Sequence, residues 1–224
     1  MNGKEQKTDH TLQIAALAED GLEPVTDLAN ADQEVLFVMA DTLTDEDAGA
    51  LSAYRERLRG TRGRPFLIRA CHRHSEGSGP ADLFDLTVIC GRENDLPLSI
   101  PAETFFSMLH GDLPLDREEL LRPGRMVCFE HSAVWEGSPA QAVDKLCRAL
   151  RGEIDAAAAE DGIFSRLLTC VTVSPDVTMD VFERCASALT EGGVMPGGIF
   201  LQLEFTDRAP DSYIKVRGMI GTGS

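Results

Sequence analysis

Apolar and polar positions along this chain recur with two periods, and the switch between them marks its elements. Val35 to Ala40 is an unbroken apolar run of strand length, the pattern of a strand buried on both faces. Thr44 then stands as a helix N-cap, with Asp45, Glu46 and Asp47 filling the first turn. Ala48, Leu51, Tyr54 and Leu58 follow at steps of three and four, one buried helical face. Arg55, Arg57 and Arg59 crowd the last turn and Gly60 supplies the stop, so acids and bases each sit at the favourable end of the helix dipole. Phe66–Cys71 and Leu83–Cys90 repeat the apolar strand pattern. Two crossovers between such strands predict a parallel sheet with helices packed on it.

The flanking pattern is weaker. Leu12–Ala15 suits a short strand and Leu22–Ala29 a short helix, while residues 72–82 form a polar, turn-rich loop. Residues 103–122 predict short helical pieces broken by Gly111, Asp112 and Pro114, followed by an apolar run, Met126–Phe129. From about Ser138, Ala142, Leu146, Leu150 and Ile154 step by four along a long helix. Leu167–Val173 is strand-like, and Thr178 caps a helix whose apolar face is Met179, Phe182, Cys185 and Leu189, stopped by Gly192 and Gly193. Ile199–Phe205 and Ser212–Ile220 alternate about a turn, predicting a closing hairpin in a sheet wet on one side. The fold class expected is α/β: a truncated doubly wound parallel sheet followed by a small α+β domain. The expected division is 1–33 as an N-terminal segment with a replacement strand and helix, 34–137 as the α/β unit, 138–162 as a connecting helix, and 163–224 as the α+β unit.

Composition narrows the function classes. At 224 residues and 43% apolar content the chain can bury a substantial core. A formal net charge of -16 argues against nucleic acid or an anionic membrane as partner. No apolar run reaches the length of a membrane span, and the first ten residues lack a signal-peptide core. Six cysteines lie scattered without close pairs, as expected of reduced thiols in a cytoplasmic protein.

Several groups carry candidate chemistry. Strand, loop and helix over residues 34–60 form the unit that binds nucleotide phosphates in α/β folds, where a Gly-rich loop lets backbone N–H groups reach the anion. Here that loop is DTLTDEDAG, whose side chains block a phosphate and whose carboxylates repel one. Asp41, Asp45, Glu46 and Asp47 have the ligand type for Mg²⁺ or Ca²⁺; a self-capped helix start explains the same residues. Cys71, His72 and His74, with Cys128 and His131, have the ligand types of a zinc site. Strand-end cysteines and surface-loop histidines are the simpler reading of the same residues. Cys128 and His131 also pair a nucleophile with a base, although nothing else assembles around them. Trp135 and Phe129 beside Met126 are either a docking patch or core. The balance expects no metal and no cofactor, with the loop of His72, His74 and Glu76 as an alternative ligand or metal site, or the site of a small enzyme, on a reused fold.

Five strings, in order, resemble the tubulin homologue FtsZ. EVLFVMA is similar to the strand before the family's Gly-rich signature, DLVFVTAGMGGGTGTG, and FLIRACHRHSEG to the next strand and its PF-x-FEG loop. FDLTVICGREND resembles VDTLIVIPND. LTCVTVSPDVTMDVFERC resembles the start of the family's C-terminal domain, and SYIKVRGMIGTG its final strand, RVTVIATG. The resemblance covers residues 34–222, and LQIA at 12–15 echoes a family LQIG. It implies a GTPase-like α/β domain, a C-terminal α+β domain, and a place among cytoskeletal and cell-division proteins.

The departures set the functional expectation. The family's first Gly-rich loop has no counterpart. Its signature aligns with Asp41–Gly49, so Asp41, Thr44, Asp45, Glu46 and Asp47 stand at a degenerate phosphate loop in which Gly49 alone matches a family glycine. The family's catalytic N-x-D-F-A-D-V loop aligns with Val127, Phe129 and Ser132, with Glu130 one position from an acid. No catalytic residue carries over, and the family's membrane-recruiting tail is not expected. The chain is therefore expected to be no enzyme and to have no use for GTP or GDP. It is expected to act in the cytoplasm through contacts with itself, as a homodimer or higher oligomer, or with a filament-forming FtsZ-type protein. In the family the strand matching Val35–Ala40 is paired on both sides. The neighbour missing here leaves an edge that Leu12–Ala15 is expected to cover in part and a homodimer to complete.

Overall fold

The computed structural model describes residues 12–18, 21–59, 64–77, 80–91, 96–110, 116–161, 164–191, 198–207 and 211–222. In chain order the strands are β1 (Gln13–Leu17), β2 (Leu22–Pro24), β3 (Val35–Met39), β4 (Phe66–Cys71), β5 (Leu86–Cys90), β6 (Gly124–Val134), β7 (Phe164–Val173), β8 (Ile199–Phe205) and β9 (Tyr213–Thr222). The α-helices are α1 (Asp45–Arg59), α2 (Ile100–His110), α3 (Arg117–Leu120), α4 (Ala140–Asp161) and α5 (Met179–Thr190). The predicted stops at Gly60, Gly111, Asp112, Pro114, Gly192 and Gly193 lie outside the described residues.

The nine strands of the described residues form one sheet in the order β2-β1-β3-β4-β5-β6-β9-β7-β8. The stretch from β3 to β6 is parallel, as two apolar strands with helical crossovers require. Every residue of β3 is buried, because helices cover both sheet faces. Leu36 and Val38 pack against Leu51, Tyr54 and Leu58 of α1. Val35 and Phe37 point the other way, to Ile100, Phe105 and Met108 of α2. A third cluster joins α4 and α5 to β6, β7 and β9 through Leu146, Leu150, Ile154, Val171, Leu189 and Val216.

The sheet is continuous through the residues where the sequence suggested two units. β6 is parallel to β5 on one side and antiparallel to β9 on the other. Helix α4 thus connects β6 to β7 within one sheet. The expected closing hairpin does not form: β8 pairs with β7 in parallel, and β9 inserts between β6 and β7. The short helix expected at Leu22–Ala29 is instead β2, an edge strand set by the turn in which Ala18 N–H donates to the Gly21 carbonyl at 2.9 Å.

The expected replacement strand is present. β1 runs antiparallel to β3, with Gln13 to Ala16 opposite Met39 to Leu36. β2 then takes the outer edge, three residues long and carrying Pro24, features that discourage further pairing. Phe129 and Met126 are core residues at 2% and 1% exposure, and Trp135 packs partly buried against the same core as Phe129, which settles the docking-patch alternative against a patch.

Candidate functional site

In open α/β sheets ligands gather beyond the carboxyl ends of the parallel strands, and a cluster of polar side chains lies there. β3 and β4 pair in parallel with Met39 opposite Ala70. Continuing that register two residues past the ladder brings Asp41 beside His72. The His72 backbone N–H donates to Asp41 Oδ1 at 2.8 Å, and His72 Nδ1 lies 2.8 Å from Asp41 Oδ2. Its Nε2 lies 3.0 Å from the carbonyl oxygen of Leu96, in the chain that follows β5. The His74 ring stacks on His72 with centroids 5.8 Å apart, its Nε2 4.0 Å from Asp41 Oδ2. Buried Arg69 ties the two loops together by donating to the carbonyls of Asp41 and Ser75 at 2.7 and 3.1 Å. Partial burial, the largest single influence on Asp41, pushes its pKa up. The bonds from the His72 N–H, the imidazole and Ser75 together outweigh it and hold the carboxyl below its ordinary value.

Asp41, His72 and His74 are therefore the cluster with metal-ligand chemistry among the described residues. The expected ligand sets are rearranged. Glu76 leaves the histidines and pairs with Arg125 of β6. Cys71 is fully buried, and that burial pushes its thiol up to about 11, a poor source of thiolate. The acids Asp45, Glu46 and Asp47 belong to the first turn of α1 and do not join Asp41 in a ligand cluster.

That first turn closes on itself. The Asp47 N–H donates to Thr44 Oγ1 at 3.1 Å, while the Thr44 N–H and hydroxyl donate to Asp47 Oδ2 at 2.9 and 2.7 Å. The arrangement is a reciprocal capping box with aspartate in place of the usual glutamate. Asp45 and Glu46 are exposed. Gly49 lies inside α1, where an added Cβ meets nothing within 4 Å, so it serves no tight turn and no close approach.

The residues aligned with the catalytic loop sit on β6, a strand and not a loop. Val127 and Phe129 are buried at 2% each. Glu130 lies 3.8 Å from Lys215 Nζ, and Ser132 is exposed opposite Lys215. Cys128 and His131 stand three residues apart on this strand, hence on opposite faces. Cys128 is buried toward α2, its thiol raised well above the ordinary range by that burial. His131 Nε2 instead meets Glu153 of α4 at 2.9 Å, so no dyad forms. His72 and His131 also stand too far apart in the sheet to be joined by sequence type alone. Parallel pairing of Cys90 with Cys128 and of Cys71 with Ile89 puts both at the carboxyl end, two strands apart.

No protein-family model matches this chain, and no curated protein matches it. Its fold is similar to that of FtsZ from M. jannaschii in an empty dimer, with a TM-score of 0.52 at 12% identity over 87% of this chain and 65% of that one. CetZ2 from Haloferax volcanii, as a GTPγS-bound protofilament, gives a TM-score of 0.53 at 12% identity over 87% and 66% of the two chains. The chain thus spans just under two thirds of the length of either. The protein has an FtsZ/tubulin-like mixed α/β fold, and at this identity the likeness extends to the fold alone.

Proposed function

We propose that this protein is a non-hydrolysing relative of the FtsZ/tubulin-like cytoskeletal proteins that works in the cytoplasm through protein contacts, with copies of itself or with a filament-forming relative. The observation that carries this reading is the closed capping box at the start of α1. Where a phosphate site needs backbone donors and glycines, Thr44 and Asp47 have taken up each other's backbone N–H groups. Asp45 and Glu46, exposed in the same first turn, add two more carboxylates. A carboxylate about 4 Å from a phosphate charge costs on the order of 1 to 4 kcal/mol, depending on local dielectric. The solved relatives are a dimer and a protofilament, which supports self-association as the kind of contact.

Calorimetric titration with GTP or GDP in the presence of Mg²⁺ tests the first half; no saturable heat is expected, and a micromolar dissociation constant would overturn the reading. Light scattering across a concentration series tests the second half. A defined oligomer, or an altered assembly curve of a filament-forming FtsZ, is expected. A monomer without effect on such filaments would sink it.

A further inference from the structure

Each ring nitrogen of His72 faces an oxygen, Nδ1 that of the Asp41 carboxylate and Nε2 the Leu96 carbonyl. The Leu96 carbonyl oxygen only accepts, so Nε2, 3.0 Å away, carries a proton. Nδ1 of the neutral ring then turns a lone pair toward Asp41 Oδ2 at 2.8 Å, and two lone pairs at that distance require a cation between them. A proton is one such cation. The neighbours are arranged for a larger one.

His74 supplies a second imidazole, its Nε2 4.0 Å from the same carboxylate oxygen, and the donor atoms of the three residues all lie within 4.8 Å of one another. Ligands about 2.1 Å from a tetrahedral zinc ion stand about 3.4 Å apart, between the 2.8 and 4.0 Å separations found here. Outer partners are also in place, as metal ligands require. The Leu96 carbonyl fixes the His72 tautomer that leaves Nδ1 for the metal, and the His72 N–H orients Asp41 through Oδ1.

We infer that Asp41 Oδ2, His72 Nδ1 and His74 Nε2 form a site for a divalent transition metal of the zinc class, with solvent completing the coordination. Two imidazoles and one carboxylate are the donor set such ions prefer over Mg²⁺ or Ca²⁺. The His74 side chain is 66% exposed and that of Asp41 34% exposed, so the fourth position opens to solvent. The inference does not depend on the protein-contact reading above.

The test is competition of the metal-free full chain with a chromophoric chelator for Zn²⁺, beside a titration with Co²⁺ followed by visible absorption. One equivalent should bind. His74→Ala, at an exposed position, and Asp41→Asn should each weaken it about tenfold or more, while His131→Ala leaves it unchanged. The Co²⁺ spectrum should show d–d bands without thiolate charge transfer. Absence of saturable binding, a His74→Ala variant equal to wild type, or a thiolate band would each overturn the inference. None of these results bears on nucleotide binding, which the calorimetric titration decides separately.

Discussion

Gly218 on β9 lies directly opposite Phe129 on β6, and the phenyl ring fills the space that a side chain at position 218 would take. A Cβ there would collide with the Phe129 ring. The pair is an aromatic laid over a cross-strand glycine, a device that pins strand register. Because Phe129 is 2% exposed and belongs to the core under α4 and α5, the ring has no room to retreat. Gly218→Ala should therefore destabilise by about 1–3 kcal/mol through overpacking. Combined with Phe129→Ala, its cost should largely vanish, since the clash has gone. Denaturant midpoints for the four proteins of that cycle check it. Additive losses would mean that the ring is not what excludes the side chain.

The capping box gives a second expectation. Thr44→Ala removes the acceptor for the Asp47 N–H and should cost about 1 kcal/mol. Neutralising Asp45, Glu46 and Asp47 together should lower stability further, more at low salt than at high, through the dipole of α1. Unchanged midpoints in both variants would place the start of the helix elsewhere.

Asp176 predicts an acid limb. Its Oδ1 accepts from the Ser174 hydroxyl at 2.6 Å and the Ser212 N–H at 2.9 Å, and its Oδ2 from the Ser212 hydroxyl at 2.7 Å. These bonds, that from Ser174 foremost, pull the carboxyl from its ordinary 3.8 down to about 2. The folded value lies below the unfolded one, so the stabilisation is complete above about pH 4 and fades as pH falls through about 2. Asp176→Asn removes it. The gap in denaturant midpoint between wild type and variant should be widest at about pH 5 and close toward about pH 2; a gap that stays constant would show that the carboxylate charge is not involved. The same bonds hold Ser212 at φ 58°, a left-handed conformation at a non-glycine residue.

The edge of the sheet supplies the fourth expectation. With β1 in place, β3 is paired on both sides. Deleting residues 1–17 exposes an apolar strand without charge or proline, an invitation to pairing with another chain. Faster hydrogen exchange over residues 35–39 and a larger or aggregating species in light scattering should follow. A monomeric truncated protein with that strand still protected would show that β1 does not guard it.

Much of this fold was legible because local signals agreed with one another. The run Val35–Ala40, the acids after Thr44 and the arginines before Gly60 each pointed to the same strand and helix, and β3 and α1 lie there. What escaped was pairing between segments. Two alternating runs around a turn look like a hairpin, yet β9 finds better-buried neighbours in β6 and β7, and β8 is left to the edge. Leu22–Ala29 held apolar residues at helical spacing, but Gly21 and Pro24 favour the turn and short strand that form. The candidate site was missed in a specific way. His72 and His74 were noticed, while Asp41 was grouped with the acids that follow it in sequence. Register was the signal that could have joined them: Val35 opposite Phe66, continued along both strands, sets Asp41 against His72. Cys71 and Cys128 were attractive by residue type alone, and burial in the sheet withdraws both.

The doubly bonded β6 has a mechanical consequence. It shares its ladder with β5 over Gly124–Cys128 and with β9 over Arg125–Val134, so among the described residues one hydrogen-bonded ladder runs unbroken between the two flanks. With strands spaced about 4.8 Å apart, nine of them make a twisted beam roughly 40 Å across. Its two free margins are β2 and β8. Moving one margin against the other therefore means twisting the sheet itself, against the ladder hydrogen bonds that join its strands.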